Sequence, residues 1–392
     1  MPLPVVHISF SSSGGAGGVT SILAEAQRET GRLASVYSVL STNLRSEPLL
    51  SPRHTLAAII DQYLVKEPGF RAPVSLFRDT VSPPMAKALS SAEVIHLHGI
   101  NGIVQLSQIR SRFPDTKIVW TLHDMNPFTG ACHYSLGCQG FENDCSACPA
   151  VRPTFQSKVA VALRNKASAL RDMPTLSIVS PSDWLTAEAA RSHVMKDFRI
   201  VTIPNPIAPV FVNPRETMKS NSTLRDYRAV VVARNLDDPV KNVRFAVETF
   251  REAFHDKAHA HLTLIGEGGK NLEGPGVSVI RNASSLQIAQ CFANSDALIV
   301  SSLAENSPLV ISEAASQGCK AFVSSVGGMP GLVANLQTGG VYESKPALLD
   351  LLRDDDNRQP EERSATRSTL RDIALELYSP ASIAREYDKV YQ

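Results

Sequence analysis

The sequence predicts an α/β protein made of two doubly wound units, and three observations carry that expectation. Short apolar runs alternate with helical patterns in two successive series, a proline-dense segment separates the series, and 392 residues exceed what one ordinary core holds.

The first series opens with PVVHISF and the helical pattern VTSILAEAQRETG, then gives ASVYSVL, a long helical and loop region, EVIHLHG, KIVWTLHD, LSIVS and FRIVTIP. Strand-like runs separated by helices are what repeated β-α units around a parallel sheet require. IPNPIAPVFVNP, residues 203–214, is rich in proline and leads into the polar RETMKSNSTLRD, which marks the boundary. The second series follows as RAVVVA, HLTLIG, VSVI, DALIVS and KAFVSS, with NVRFAVETFREAF and SLQIAQCFANS as helical patterns between strands. The expected domains are residues 1–204 and 205–378. The remaining stretch, 379–392, carries Ile383, Tyr387 and Tyr391 at i, i+4 and i+8, an apolar stripe that must dock on something.

Composition excludes several classes. With 43% hydrophobic and 20% charged residues the chain is ordinary globular material, and a formal charge of +1 gives no field that would recruit nucleic acid. The start lacks a basic segment followed by a long apolar stretch, and no run of about eighteen apolar residues occurs, so a cytoplasmic location is expected. GIVQLSQIRSRF, residues 102–113, is a candidate amphipathic helix, either buried or in peripheral contact with a membrane face.

The most informative segment is SSLAENSPLVISEAASQG, which sets Glu305 and Glu313 eight positions apart across a strand end and a helix start. Ser307 is the expected N-cap and Pro308 the expected first helical residue, with Gly318 closing the helix. In an open parallel sheet that crevice takes ligands, the helix start suits a phosphate, and two carboxylates suit sugar or ribose hydroxyls. Arg234 and Lys241, between the first strand of the second series and its first helix, are two cations suited to a leaving diphosphate. IGEGG (265–269) and GGMPG (327–331) are further glycine turns at strand ends. In the first series, Gly14, Gly15, Gly17 and Gly18 of SFSSSGGAGGVT allow close backbone approach to a phosphate or sugar at a helix start. His96, His98 and His123 fall where buried strands run out. His123 is the one best suited to bind a hydroxyl or assist proton transfer, whereas His96 suits a core role.

Cys132, Cys138, Cys145 and Cys148 crowd one loop, TGACHYSLGCQGFENDCSACPA. In a cytosolic chain that clustering favours a closed structural zinc site, with His133 as a substitute ligand. Disulfides, free thiols and an iron–sulfur cluster are the alternatives.

Taken together these residues resemble the GT-B retaining glycosyltransferases of family 4, over nearly the whole chain. The resemblance rests on GGAGG, HLHG, TLHDMNPFTGACHYSLGC, SPSDWL, IPNPI and above all AENSPLVISEAASQG followed by GGMPG, which matches the family's E-x7-E signature. The cysteine loop is similar to a bacterial subset serving exopolysaccharide and other surface-glycan assembly. The resemblance implies two Rossmann-like domains facing a cleft and a final helix that crosses back to the N-terminal one. It implies a nucleotide diphosphate sugar as donor, UDP- or GDP-linked, a glycan or lipid-linked hydroxyl acceptor, and transfer with retention of configuration. By the same resemblance Glu313 binds the donor ribose, Glu305 lies beside the transferred sugar, Arg234 and Lys241 bind the diphosphate, and His123 stands at the sugar end. Gly15, Gly17 and Gly18 belong to the loop that closes over the diphosphate, and no catalytic metal is implied. The location implied is cytoplasmic or peripheral at the inner face of the membrane. Three features depart from the family pattern: the long gap between Arg234 and Lys241, Gly331 where Glu is common, and CKAFVSS in place of the frequent G-x-P-V-V. A nucleotide-sugar epimerase of the same frame and a silent nucleotide-sugar-binding protein are the competing readings.

Overall fold

In the computed structural model the chain forms two units, Met1–Pro206 with Pro380–Gln392, and Ile207–Ser379. The structure describes residues 4–12, 14–40, 47–48, 52–76, 81, 83–100, 106–173, 176–212, 226–255 and 257–392. The polar stretch that marked the boundary, apart from its last residue Asp226, and the first part of the 102–113 segment lie outside them.

The strands of the first unit are β1 (Val5–Ser11), β2 (Ala34–Leu40), β3 (Glu47–Pro48), β4 (Val94–His98), β5 (Lys117–Thr121), β6 (Leu176–Ser180) and β7 (Ile200–Thr202). They form one sheet in the order β3-β2-β1-β4-β5-β6-β7, and every pairing is parallel. β4 is buried along its whole length, as a strand covered by helices on both faces must be. The order reverses between β1 and β4, so the loops leaving those strands border the point where an open sheet takes ligands.

The second unit has β8 (Tyr227–Asn235), β9 (Ala260–Glu267), β10 (Val277–Ile280), β11 (Ala297–Val300), β12 (Lys320–Ser324) and β13 (Gly340–Tyr342), in the order β10-β9-β8-β11-β12-β13, also parallel. Its reversal lies between β8 and β11. The helix Val243–Ala253 shows why the chain folds this way: Val243, Ala246, Val247, Phe250 and Ala253 form one buried stripe.

The closing helix Pro380–Tyr391 belongs to the first unit. Ile383, Ala384, Tyr387 and Tyr391 pack with Val5, Leu23, Val94, Val119 and Val179. Arg32 adds an ion pair to Asp388 at 2.7 Å. The apolar stripe read from the sequence is thus the seam of the first unit. In the 102–113 segment, the helix Leu106–Arg112 buries Leu106 and Ile109 in the core.

Candidate functional site

In the second unit three loops converge on Glu305. Lys241 Nζ hydrogen-bonds to Glu305 Oε1, and Ser302 Oγ donates to the same oxygen at 3.2 Å. Glu305 is 8% exposed, so its carboxylate is held inside the loop after β11. The loop after β8 is stitched to it twice more: Leu303 N donates to Val240 O at 2.7 Å, and Ser301 Oγ lies 3.0 and 2.9 Å from the carbonyls of Lys241 and Asn242. The loop after β12 joins through Gly328 N, which donates to Glu305 O at 3.2 Å, and Ser324 Oγ, which donates to Ser302 O at 2.6 Å. Gly327 has φ +61°, and a Cβ there would sit 1.7 Å from Glu305 O. The glycine turn read from GGMPG therefore supports the backbone of Glu305.

Glu313 lies in the helix Leu309–Ser316 that follows this loop, whose N-cap is Pro308. The cap falls one residue later than Ser307, and no side chain caps the helix. Burial pushes the Glu313 carboxyl up to about 7. Among the described residues no group donates to it, although it is only partly exposed. Arg234 is exposed near the end of β8, without a partner among the described residues. The IGEGG turn packs on the same β8 loop, where Gly269 N donates to Asp237 at 3.2 Å.

In the first unit the glycines do not form the expected loop. Gly14 to Gly18 are the first turns of the helix Gly14–Glu29, because packing of that helix on β1 outweighs the poor helical propensity of glycine. A Cβ at Gly17 would lie 2.1 Å from Ser11 O, so Gly17 serves the helix-strand contact, while Gly15 and Gly18 face open space. His123 is partly exposed and His98 fully buried, with His98 Nδ1 and His123 Nε2 3.0 Å apart. Burial lowers His123 to about 4, against the opposing effect of Asp124. Asp124 turns the other way and accepts from His133 Nδ1 at 2.6 Å, while Ser75 Oγ lies 2.8 Å from His133 Nε2. Both ring nitrogens of His133 are thereby engaged, so the substitute-ligand reading is corrected.

Cys132, Cys138, Cys145 and Cys148 are free thiols lining one small cavity with Phe70 and Phe141. Gly140 N donates to Cys138 Sγ at 3.4 Å. Burial pushes Cys132 up to about 12 and Cys145 up to about 11. Four thiolates around one zinc stand about 3.8 Å apart. Among the described residues the only group of three or more His, Cys, Asp or Glu side chains placed to hold one ion is His7, His96 and His98, whose ligand atoms all lie within 4.8 Å of one another. The cysteine loop thus gathers the right donors without closing them into a coordination set. Each of those three histidines has both ring nitrogens engaged by a protein partner. A further cavity of about 610 Å³, lined by Lys320, Asp355, Arg358 and Thr369, lies at the opposite end of the second sheet, where β12 begins.

Residues 227–353 match the family described as glycosyl transferases group 1. The lipopolysaccharide glycosyltransferase WaaG superposes over 99% of both chains with a TM-score of 0.62 at 13% identity. The fold is GT-B. Other GT-B structures alike in fold are sucrose-phosphate synthase of Thermosynechococcus elongatus, with a TM-score of 0.66 at 17% identity over 99% of this chain and 98% of that one. HepE of Anabaena, solved with UDP-glucose, gives 0.64 at 14% identity over 99% of each chain. By sequence the chain is 26% identical over 243 residues to WcaC of Escherichia coli K12, named as a colanic acid biosynthesis glycosyl transferase. That match covers 57% of this chain and 56% of WcaC, so the chain spans about half the length of that relative. The pairing of Lys241 with Glu305 joins two residues that the sequence singled out separately. Ser302 and the support role of Gly327 were not legible in the sequence, because a serine at a strand end and a glycine two loops away carry no signal of their own.

Proposed function

We propose that this chain transfers a sugar from a nucleotide diphosphate sugar to a hydroxyl acceptor on a surface glycan or lipid-linked glycan, with retention of configuration. The observation that carries the reading is Glu313, a partly buried carboxylate raised to about 7 with no donor among the described residues. A carboxylate kept in that state gains most from a ligand that brings hydroxyl donors, as a ribose does. Glu305 is the carboxylate beside the transferred sugar, and Lys241, with Arg234, neutralises the diphosphate as it leaves. Charge stabilisation and positioning then supply most of the acceleration. In the first unit, His123 is read as the residue that meets a sugar hydroxyl. The HepE structure with UDP-glucose favours a UDP-linked donor, and the surface-glycan names of WcaC and WaaG favour a glycan acceptor. The front-face route, in which the diphosphate takes the acceptor's proton, needs no protein nucleophile.

The cysteine loop is read as a structural zinc site, supported by four thiols on one cavity and the Gly140 amide at Cys138 Sγ. Zinc would draw the thiols inward and pin a segment with little regular structure. Peripheral contact with a membrane face belongs to the same reading, through a lipid-linked acceptor. Among the described residues no helix is long and apolar enough to cross a membrane.

The test is a thermal-shift screen against UDP, GDP, ADP and dTDP and their sugar conjugates. Stabilisation by one nucleotide that disappears in Glu313→Ala supports the donor site. No shift with any of them speaks for a silent chain. Product analysis then decides between transfer and epimerisation, and the anomeric proton of the product reports retention or inversion.

A further inference from the structure

The first unit contains a continuous line of hydrogen bonds from the closing helix to His123. His7 Nδ1 and His98 Nε2 are 3.1 Å apart, and His98 Nδ1 and His123 Nε2 are 3.0 Å apart. At the inner end His7 Nε2 is 2.8 Å from Gln27 Oε1, and the same amide donates from Nε2 to the Tyr391 hydroxyl at 2.9 Å. His7, His98 and Gln27 are wholly buried, so no water competes for these bonds.

The direction of the line follows from valence. An amide oxygen only accepts, so His7 must carry its proton on Nε2. A neutral imidazole has one N–H, which makes His7 Nδ1 an acceptor and His98 Nε2 the donor to it. The same step at the next ring makes His123 donate from Nε2 to His98 Nδ1. A second branch is consistent with the first. Tyr391 accepts from Gln27 and directs its own hydrogen to His96 Nδ1 at 2.7 Å, and His96 Nε2 then donates to Thr121 Oγ1 at 2.8 Å. Thr121 Oγ1 lies 2.8 Å from the Tyr387 hydroxyl, which ends the branch on the same helix. Burial lowers every ring in the network, so each is neutral near pH 7.

We propose that Gln27 is a positioning residue which, through His7 and His98, fixes His123 as the Nε2–H tautomer and makes its Nδ1 a hydrogen-bond acceptor. Turning the Gln27 amide over would reverse the line, and each ring would then carry its proton on Nδ1. In the structure the amide nitrogen faces the Tyr391 hydroxyl and the amide oxygen faces His7. A hydroxyl meeting His123 at Nδ1 would therefore donate to it. This last point rests on the sugar-transfer reading, whereas the tautomer does not.

The experiment is a long-range proton–nitrogen correlation on the full chain labelled with 15N-histidine near pH 7.5, with His123 assigned by its loss in His123→Gln. The expected wild-type pattern is Nε2–H at His7, His98 and His123. Gln27→Met, which removes the amide, should give a mixture of tautomers at His123, and Gln27→Glu, which only accepts, should keep Nε2–H. If Gln27→Met does not fold, Tyr391→Phe, which removes only the hydroxyl that the amide nitrogen faces, should give the mixture. An Nδ1–H pattern in the wild type, or an unchanged His123 in Gln27→Met or Tyr391→Phe, overturns the proposal. If no sugar transfer is found with any donor while the tautomers respond as stated, the positioning inference stands and the functional reading fails.

Discussion

Lys241 Nζ is bonded to Glu305 Oε1, and this one ion pair ties the loop after β8 to the loop after β11 at the reversal of the second sheet. The Lys241 side chain is 34% exposed and that of Glu305 only 10%, so the carboxylate depends on the ammonium more than the reverse.

Lys241→Met should therefore harm both stability and turnover. It leaves a largely buried carboxylate without its cation, a loss discounted by the exposure of Lys241 to about 1–2 kcal/mol. Urea melts should show that loss, and turnover should fall at least about a hundredfold because the cation proposed to meet the diphosphate is gone. Full activity in a folded Lys241→Met chain would remove Lys241 from the site.

Glu313 gives a prediction in pH. Its folded carboxyl is raised to about 7 from 4.5. A raised group contributes stability that is fully present below the unfolded value and lost as pH rises through the folded one. Glu313→Gln should thus match the wild type in acid and exceed it above pH 7, by on the order of 2 kcal/mol. Nucleotide affinity should run the other way, strengthening in the wild type from pH 6 to pH 8 as the carboxylate forms. Titration calorimetry showing a flat wild-type profile would sink the ribose assignment.

Two glycines separate support from space. Gly327→Ala places a methyl 1.7 Å from Glu305 O at a left-handed φ, so the loop must shift and stability should fall by more than about 1 kcal/mol, with activity lost alongside. Gly331→Ala meets nothing within 4 Å and should fold and melt like the parent. Equal melting curves for the two variants would contradict the packing described for Glu305.

The cysteine loop should retain about one zinc per chain when purified under reducing conditions without chelators. Elemental analysis that finds no metal would leave a cluster of thiols on the small cavity they share with Phe70 and Phe141. Cys138→Ser should release the metal if zinc is bound.

The two parallel sheets and the docking stripe of Ile383, Tyr387 and Tyr391 were legible because parallel strands are continuous apolar runs and helices repeat every 3.6 residues. β3 and β13 were missed, since strands of two and three residues give no periodic signal. The start of the helix at Gly14 was also missed, because glycines read as a turn until Gly17 is seen against Ser11 O. Within the candidate site, the sequence drew attention to Lys241 and Glu305 separately, and the fold brings them into contact. The network behind His123 was hidden, because Gln27 and Tyr391 at its inner end are 364 positions apart and meet only once the chain has folded.

That separation bears on biosynthesis. The closing helix Pro380–Tyr391 leaves the ribosome only after the whole of Ile207–Ser379 has been made, yet it fills the seam of the unit that emerges first. Until then Gln27, His96 and Thr121 lack the tyrosine hydroxyls that complete their network, and Val5, Leu23 and Val119 lack their cover. The nascent first unit is thus held incomplete until its closing helix has been made.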